Sequence, residues 1–226
     1  STVKRLLGFL FFITLLSICF SFISSAYAQS AEVKLARVLS WQKKYDESLK
    51  YYERYVKGHP KDYAVIFEAA DVTFWNGGYE RARELYIEAA ASPKIAAKSW
   101  YQAGYMSLIL SDFKSAARYF EKTLQIKDEE ETRIKLAEVL SYDKRFDDSI
   151  TQYDVVLEKD PDNLVALSGK ADVLSWEDRF SDSVELYDRC LELSFDLKIA
   201  RQKARVLGWW KKYDRALAAY DDAWEK

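Results

Sequence analysis

The sequence predicts an all-α solenoid of about six helix-turn-helix repeats, and two observations carry that prediction. The first is a fixed period. An aromatic residue returns at Tyr45, Tyr79, Phe113, Phe146, Phe180 and Tyr213, spaced by 34, 34, 33, 34 and 33 residues. Self-similarity at a period of roughly 20 to 50 residues marks one supersecondary unit stacked repeatedly. The second is helical spacing inside each period, with apolar side chains three or four apart and no sustained period-two alternation that would suggest strands.

The first repeat shows how each element is justified. Leu35, Leu39 and Trp41 lead to the polar break Gln42-Lys43-Lys44, and Tyr45, Leu49, Tyr52 and Val56 then form the apolar stripe of a second helix. Gly58-His59-Pro60 ends that helix, as Asp160-Pro161-Asp162-Asn163 does in the fourth repeat, because proline cannot continue it. Acidic pairs such as Asp46-Glu47 and Asp147-Asp148 open second helices, where the positive end of the helix dipole favours them. Extended along the chain, this reading predicts helices over 31–43, 46–58, 63–76, 79–91, 95–110, 113–126, 129–143, 146–159, 163–177, 180–193, 196–211 and 213–225.

Further columns repeat with the anchor aromatic. Nine residues before it stand Ala36, Ala70, Gly104, Ala137, Ala171 and Ala204; three after it come Ser48, Ala82, Ala116, Ser149, Ser183 and Ala216. Seven after it come the rings Tyr52, Tyr86, Phe120, Tyr153, Tyr187 and Tyr220. Small residues at fixed places let two helices approach closely, and a large ring fills the space beside them. Four before the anchor lie Trp41, Trp75, Ile109, Tyr142, Trp176 and Trp209.

These columns resemble the tetratricopeptide repeat (TPR). The third repeat comes near its pattern with Trp100, Ala103-Gly104, Phe113, Ala116 and Phe120; Pro60 and Pro161 stand at its terminal proline, Pro93 is shifted by one, and the third, fifth and sixth repeats lack it. The resemblance covers about residues 31–226 and implies a right-handed α-solenoid with first helices inside and second helices outside. It implies repeats at about 29–62, 63–96, 97–129, 130–163, 164–196 and 197–226 within a 29–226 solenoid. By the same resemblance, Trp41, Trp75, Tyr142, Trp176 and Trp209 lie near a concave, partner-binding groove. Arg37, Asp71, Tyr105, Glu138, Asp172 and Arg205 stand one turn earlier. The alternative reading of the rings is simple packing between neighbouring repeats. At the other end, Leu217, Tyr220, Ala223 and Trp224 form a face where a further repeat would dock.

Residues 1–28 read differently. Lys4-Arg5 precede an uncharged run from Leu6 to Ala28 that closes on Ala26-Tyr27-Ala28, the parts of a secretory signal. The run of 23 residues is also long enough to span a bilayer. The expectation is export to the periplasm, either as a soluble form cleaved after Ala28 or held at the inner membrane by residues 6–28. Cys19 lies in that run and Cys190 in the fifth repeat, which leaves the exported part a single thiol and no internal disulfide.

Composition narrows the chemistry. The chain has 34 basic and 36 acidic residues, a net charge of −2. Such a balance offers no electrostatic footprint for nucleic acid. His59 is the single histidine, in an inter-repeat turn, so no transition-metal ligand set exists. Gly77-Gly78 lacks the following residues of a phosphate loop, and the acidic run Asp128-Glu129-Glu130-Glu131 reads as a solvated helix start. No cofactor and no enzymatic activity are expected. The expectation is a protein-interaction scaffold in the cell envelope, with a polysaccharide-binding module of an export system as the alternative use of the Trp and Tyr rings.

Overall fold

A computed structural model describes residues 31–225, with side chains through Asp222; residues 1–28, and the side chains of Ala223 and Trp224, lie outside the described residues. Every regular element among the described residues is a helix. They are α1 (31–41), α2 (Tyr45–Gly58), α3 (Tyr63–Trp75), α4 (Tyr79–Ala89), α5 (Ala96–Ile109) and α6 (Phe113–Ile126). Then follow α7 (Glu130–Tyr142), α8 (Phe146–Lys159), α9 (Leu164–Trp176), α10 (Phe180–Leu193), α11 (Leu197–Trp209) and α12 (Tyr213–Glu225). They form two compact bodies, one ending at Ser92 with α1–α4 and one starting at Pro93 with α5–α12. Within each body, consecutive helices pack as hairpins. No helix of the described residues is long and apolar enough to cross a membrane.

The helices match the predicted ranges to within two residues at each end. The differences concentrate at the carboxy ends of the first helices, which stop one or two residues early. The cause is a left-handed residue two before each anchor: Lys43, Gly77, Ser111, Lys144, Asp178 and Lys211, with φ between 57° and 84°. At each of the six turns the next amide reaches back five residues, as in Lys44 N–H to the Leu39 carbonyl (2.9 Å) and Arg145 N–H to the Leu140 carbonyl (2.9 Å). This is the Schellman closure of a helix end. Only one of the six positions is glycine, so the stop carries no strong sequence mark. Helix starts are clearer: Asp62, Asp112, Asn163 and Asp196 accept amide hydrogen bonds as N-caps.

The small columns lie where the two helices of a hairpin touch. Ala36, Ala70, Ala137, Ala171 and Ala204 are fully buried, and so are Ser48, Ala82, Ala116, Ser149 and Ser183. The serines do more than leave room. Ser48, Ser149 and Ser183 donate from Oγ to the carbonyls of Ala36, Ala137 and Ala171, each at 2.7 Å. A buried hydroxyl needs a partner, and the close helix approach supplies one. The rings seven after the anchor fill the adjoining space: Tyr52, Tyr86, Phe120, Tyr153 and Tyr187 are at most 5% exposed. Cys190 is buried in the core of the fifth repeat, where loss of water pushes its thiol up to about 11.

Candidate functional site

The ring column is neither buried nor free. Trp41, Trp75, Tyr142, Trp176 and Trp209 are 77%, 52%, 45%, 44% and 47% exposed, and Ile109 takes the same position at 38%. Three of the rings have one side against the anchor aromatic of the preceding repeat. Trp75 lies 6.3 Å from Tyr45, Tyr142 5.3 Å from Phe113 and Trp176 6.2 Å from Phe146, all tilted. Packing between repeats thus fixes the ring, and its other side faces solvent. The packing reading holds for one side of Trp75, Tyr142 and Trp176.

The polar column one turn earlier is engaged in hydrogen bonds. Arg37 donates from Nε and Nη2 to Glu68 at 2.7 and 2.6 Å. Asp71 accepts from the Tyr86 hydroxyl at 2.6 Å, and Asp172 accepts from the Tyr187 hydroxyl and from Gln202 Nε2 at 3.1 Å. Glu138 accepts from Lys135 at 2.8 Å and from the Tyr142 hydroxyl at 3.2 Å. Tyr105 is half-buried, and Arg205 lies 5.1 Å over the ring of Trp209.

These bonds define a recurring polar node that the repeat columns alone do not reveal. The buried tyrosine of a second helix reaches through its hairpin to meet the polar residue of its own first helix. A third residue, eleven before the next anchor, joins from the following first helix. Tyr52, Arg37 and Glu68 form one node, with Tyr52 Oη donating to Glu68 at 3.1 Å. Tyr187, Asp172 and Gln202 form another. Burial raises the pKa of Tyr52, Tyr86 and Tyr187, so each hydroxyl stays a neutral donor. Burial also raises Asp172, against the opposing pull of the Tyr187 hydrogen bond and of Arg205 and Lys198.

Two concave surfaces collect the expected residues. In the amino-terminal body, Arg37, Trp41, Asp71 and Trp75 line a hollow of about 200 Å³ with Tyr52 and Glu68. In the carboxy-terminal body, Glu138, Tyr142, Asp172 and Trp176 line a cleft of about 500 Å³ between α7, α9 and α11. Arg205 and Tyr220 line a further open cleft with Lys198, Arg201 and Gln202. Leu217 and Tyr220 of the expected terminal face are exposed, at 64% and 45%.

Other expectations meet partners. Within the acidic run, Asp128 is bridged by Arg133 (2.7 Å) and Lys159 (3.2 Å), Glu130 accepts from Asn163 (2.9 Å) and Glu131 from the Tyr101 hydroxyl (2.7 Å). The run is therefore stitched to neighbouring elements rather than merely solvated. His59 stacks on Tyr55 with centroids 4.2 Å apart. No group of three or more His, Cys, Asp and Glu side chains suited to a metal occurs among the described residues.

Family profiles described as tetratricopeptide repeat match residues 30–62 and 67–131. The chain is a TPR protein. Similar solved structures agree on the fold of this TPR protein. The carboxy-terminal part of a TPR repeat-containing protein from Cytophaga hutchinsonii is 16% identical, with a TM-score of 0.72 over 87% of this chain and 81% of that one. YrrB, described as a TPR protein with an unusual peptide-binding site, is 17% identical, with a TM-score of 0.64 over 80% and 90%. MamA from Desulfovibrio magneticus RS-1 is 16% identical, with a TM-score of 0.66 over 73% and 94%. At such identities the likeness extends to the fold alone. No curated protein matches the sequence.

Proposed function

We propose that this TPR protein is a non-enzymatic scaffold that holds an extended segment of a protein partner along the exposed faces of its first helices. The observation that carries the proposal is the ring column. Each of its aromatic members keeps 44% or more of its surface in water, and Trp75, Tyr142 and Trp176 are braced from behind by an anchor ring. Rigid, half-exposed aromatic residues are the side chains that most often become binding hot spots. Peptide binding is described for YrrB, which shares the fold. The hydrophobic run at residues 6–28 supports a place in the cell envelope, where the scaffold would organise a membrane or periplasmic complex.

Replacing Trp41, Trp75, Trp176 or Trp209 by Leu, one at a time, tests the reading. Losses of about 2 kcal/mol or more in partner binding with unchanged helical content are expected at one or more positions. Variants that melt earlier but bind normally once folded would assign the rings to packing alone. The same ring column favours a second reading, since exposed Trp and Tyr faces also suit stacking on sugars. Intrinsic Trp fluorescence that shifts on adding oligosaccharide, and is silent to protein partners, would select it.

A further inference from the structure

The full polar node forms at Tyr52 and at Tyr187; Phe120 has no hydroxyl to join one, and Tyr153 faces a position without a side chain. The position eleven before the anchor holds Glu68, Lys135 and Gln202, long polar side chains that reach a neighbouring group, but in the fifth repeat it holds Gly169. The ring above it is Tyr153, 5% exposed. A Cβ on Gly169 would stand 2.5 Å from Cζ and Oη of Tyr153, so the hydroxyl end of the ring overlies the glycine. Unlike Tyr52, Tyr86 and Tyr187, Tyr153 makes no hydrogen bond among the described residues. Tyr153 and Gly169 both line the cleft of about 500 Å³ between α7, α9 and α11.

The Tyr153 oxygen is not among the enclosed unpaired polar atoms, so it opens to the cleft and can bond to a group bound there. The cleft also holds the carboxylates of Glu138 and Asp172, close enough that both raise the pKa of Tyr153 after burial does. Carboxylates only accept, and the tyrosine oxygen can accept as well, so the place calls for a donor. An ammonium group brings three donors and a positive charge. Tyr142 and Trp176 at the mouth, each about half exposed, can cover its methylene stem and attract the cation. Lys198 lines the same cleft, and Asp172 accepts from Tyr187 and Gln202, so an incoming ammonium adds a further donor to that carboxylate.

We propose that the cleft between α7, α9 and α11 receives the side chain of a lysine from the partner segment, its ammonium seated among Tyr153 Oη, Asp172 and Glu138. This rests on the scaffold reading and specifies the chemistry of the partner at the fourth and fifth repeats.

The test uses the full chain and synthetic nine-residue peptides that differ only at a central residue: lysine, norleucine or arginine. Binding is followed by the emission of Trp and by NMR of the Trp176 indole. The lysine peptide is expected to bind about tenfold tighter than norleucine, a difference of about 1.4 kcal/mol. Tyr153→Phe keeps the ring and the fold, and Asp172→Asn keeps the shape; each should reduce that preference to about threefold or less. Equal binding of lysine and norleucine peptides, tighter binding of arginine, or no response to any peptide at millimolar concentration would overturn the lysine site. Equal binding that Trp176→Leu weakens for both peptides would leave the scaffold reading intact while removing this one.

Discussion

Gly104→Ala is the sharpest structural perturbation this fold offers, because two effects of known sign oppose each other at one atom. Gly104 sits inside α5, at the position where the other five repeats carry a buried alanine. Helix propensity alone would favour the alanine by about 0.8–1 kcal/mol. Its Cβ, however, would stand 2.9, 3.0 and 3.1 Å from Cε1, Cδ1 and Cζ of Phe120. That ring is fully buried in a cluster with Ala116, Ala117, Leu136, Val139 and Leu140, and Tyr101 meets it edge-on at 5.5 Å. Overpacking of this kind costs about 1–3 kcal/mol. The expected balance is a net loss of about 0–2 kcal/mol, read as a lower urea midpoint by circular dichroism at constant slope. In the Phe120→Leu background the clash is gone, so the same change should become stabilising, with a coupling of about 1–2 kcal/mol between the two sites. A single Gly104→Ala variant that gains the whole propensity benefit would show that the ring gives way freely and refute the reasoning.

Two further outcomes follow from the turns and the nodes. Lys144 is held at φ 60° in an exposed turn, so Lys144→Gly should raise the melting temperature through a gain of about 0.5–1 kcal/mol, and an unchanged or lower value would contradict the strain argument. Asp172 has its pKa raised by burial, so its ionisation opposes folding: the contribution is absent below the unfolded value and is felt as pH rises through the folded one. The stability of Asp172→Asn relative to the parent should therefore improve as pH rises above the unfolded carboxylate value of about 3.9, and a shift in the parent's favour would refute the assignment.

Much of the fold is legible in the sequence because each repeat states the same rule again. Ala36, Ala70, Ala137, Ala171 and Ala204 mean little singly, but five coincident alanines at one offset predict a close helix contact, and all are fully buried. The turns are less legible, since Lys43, Ser111, Lys144, Asp178 and Lys211 adopt a conformation that glycine would have announced. The ring column can be placed near a concave groove by resemblance, but its bracing by Tyr45, Phe113 and Phe146 depends on contacts between successive repeats that no single repeat shows. The nodes are hidden for the same reason: Tyr187, Asp172 and Gln202 come from three helices. The column of Glu68, Lys135, Gly169 and Gln202 does carry one signal of its own, because Gly169 is the single member with no side chain to complete a node.

The central claim is that partners meet the first-helix face rather than the outside of the second helices. A photo-crosslinking amino acid placed at Trp176 or Tyr142, and in separate chains at the exposed second-helix positions Glu121 or Glu185, compares the two faces directly in intact cells. Adducts with a discrete partner are expected from positions 176 and 142, and none from 121 and 185. Adducts formed mainly from 121 and 185, with positions 176 and 142 silent, would contradict the account.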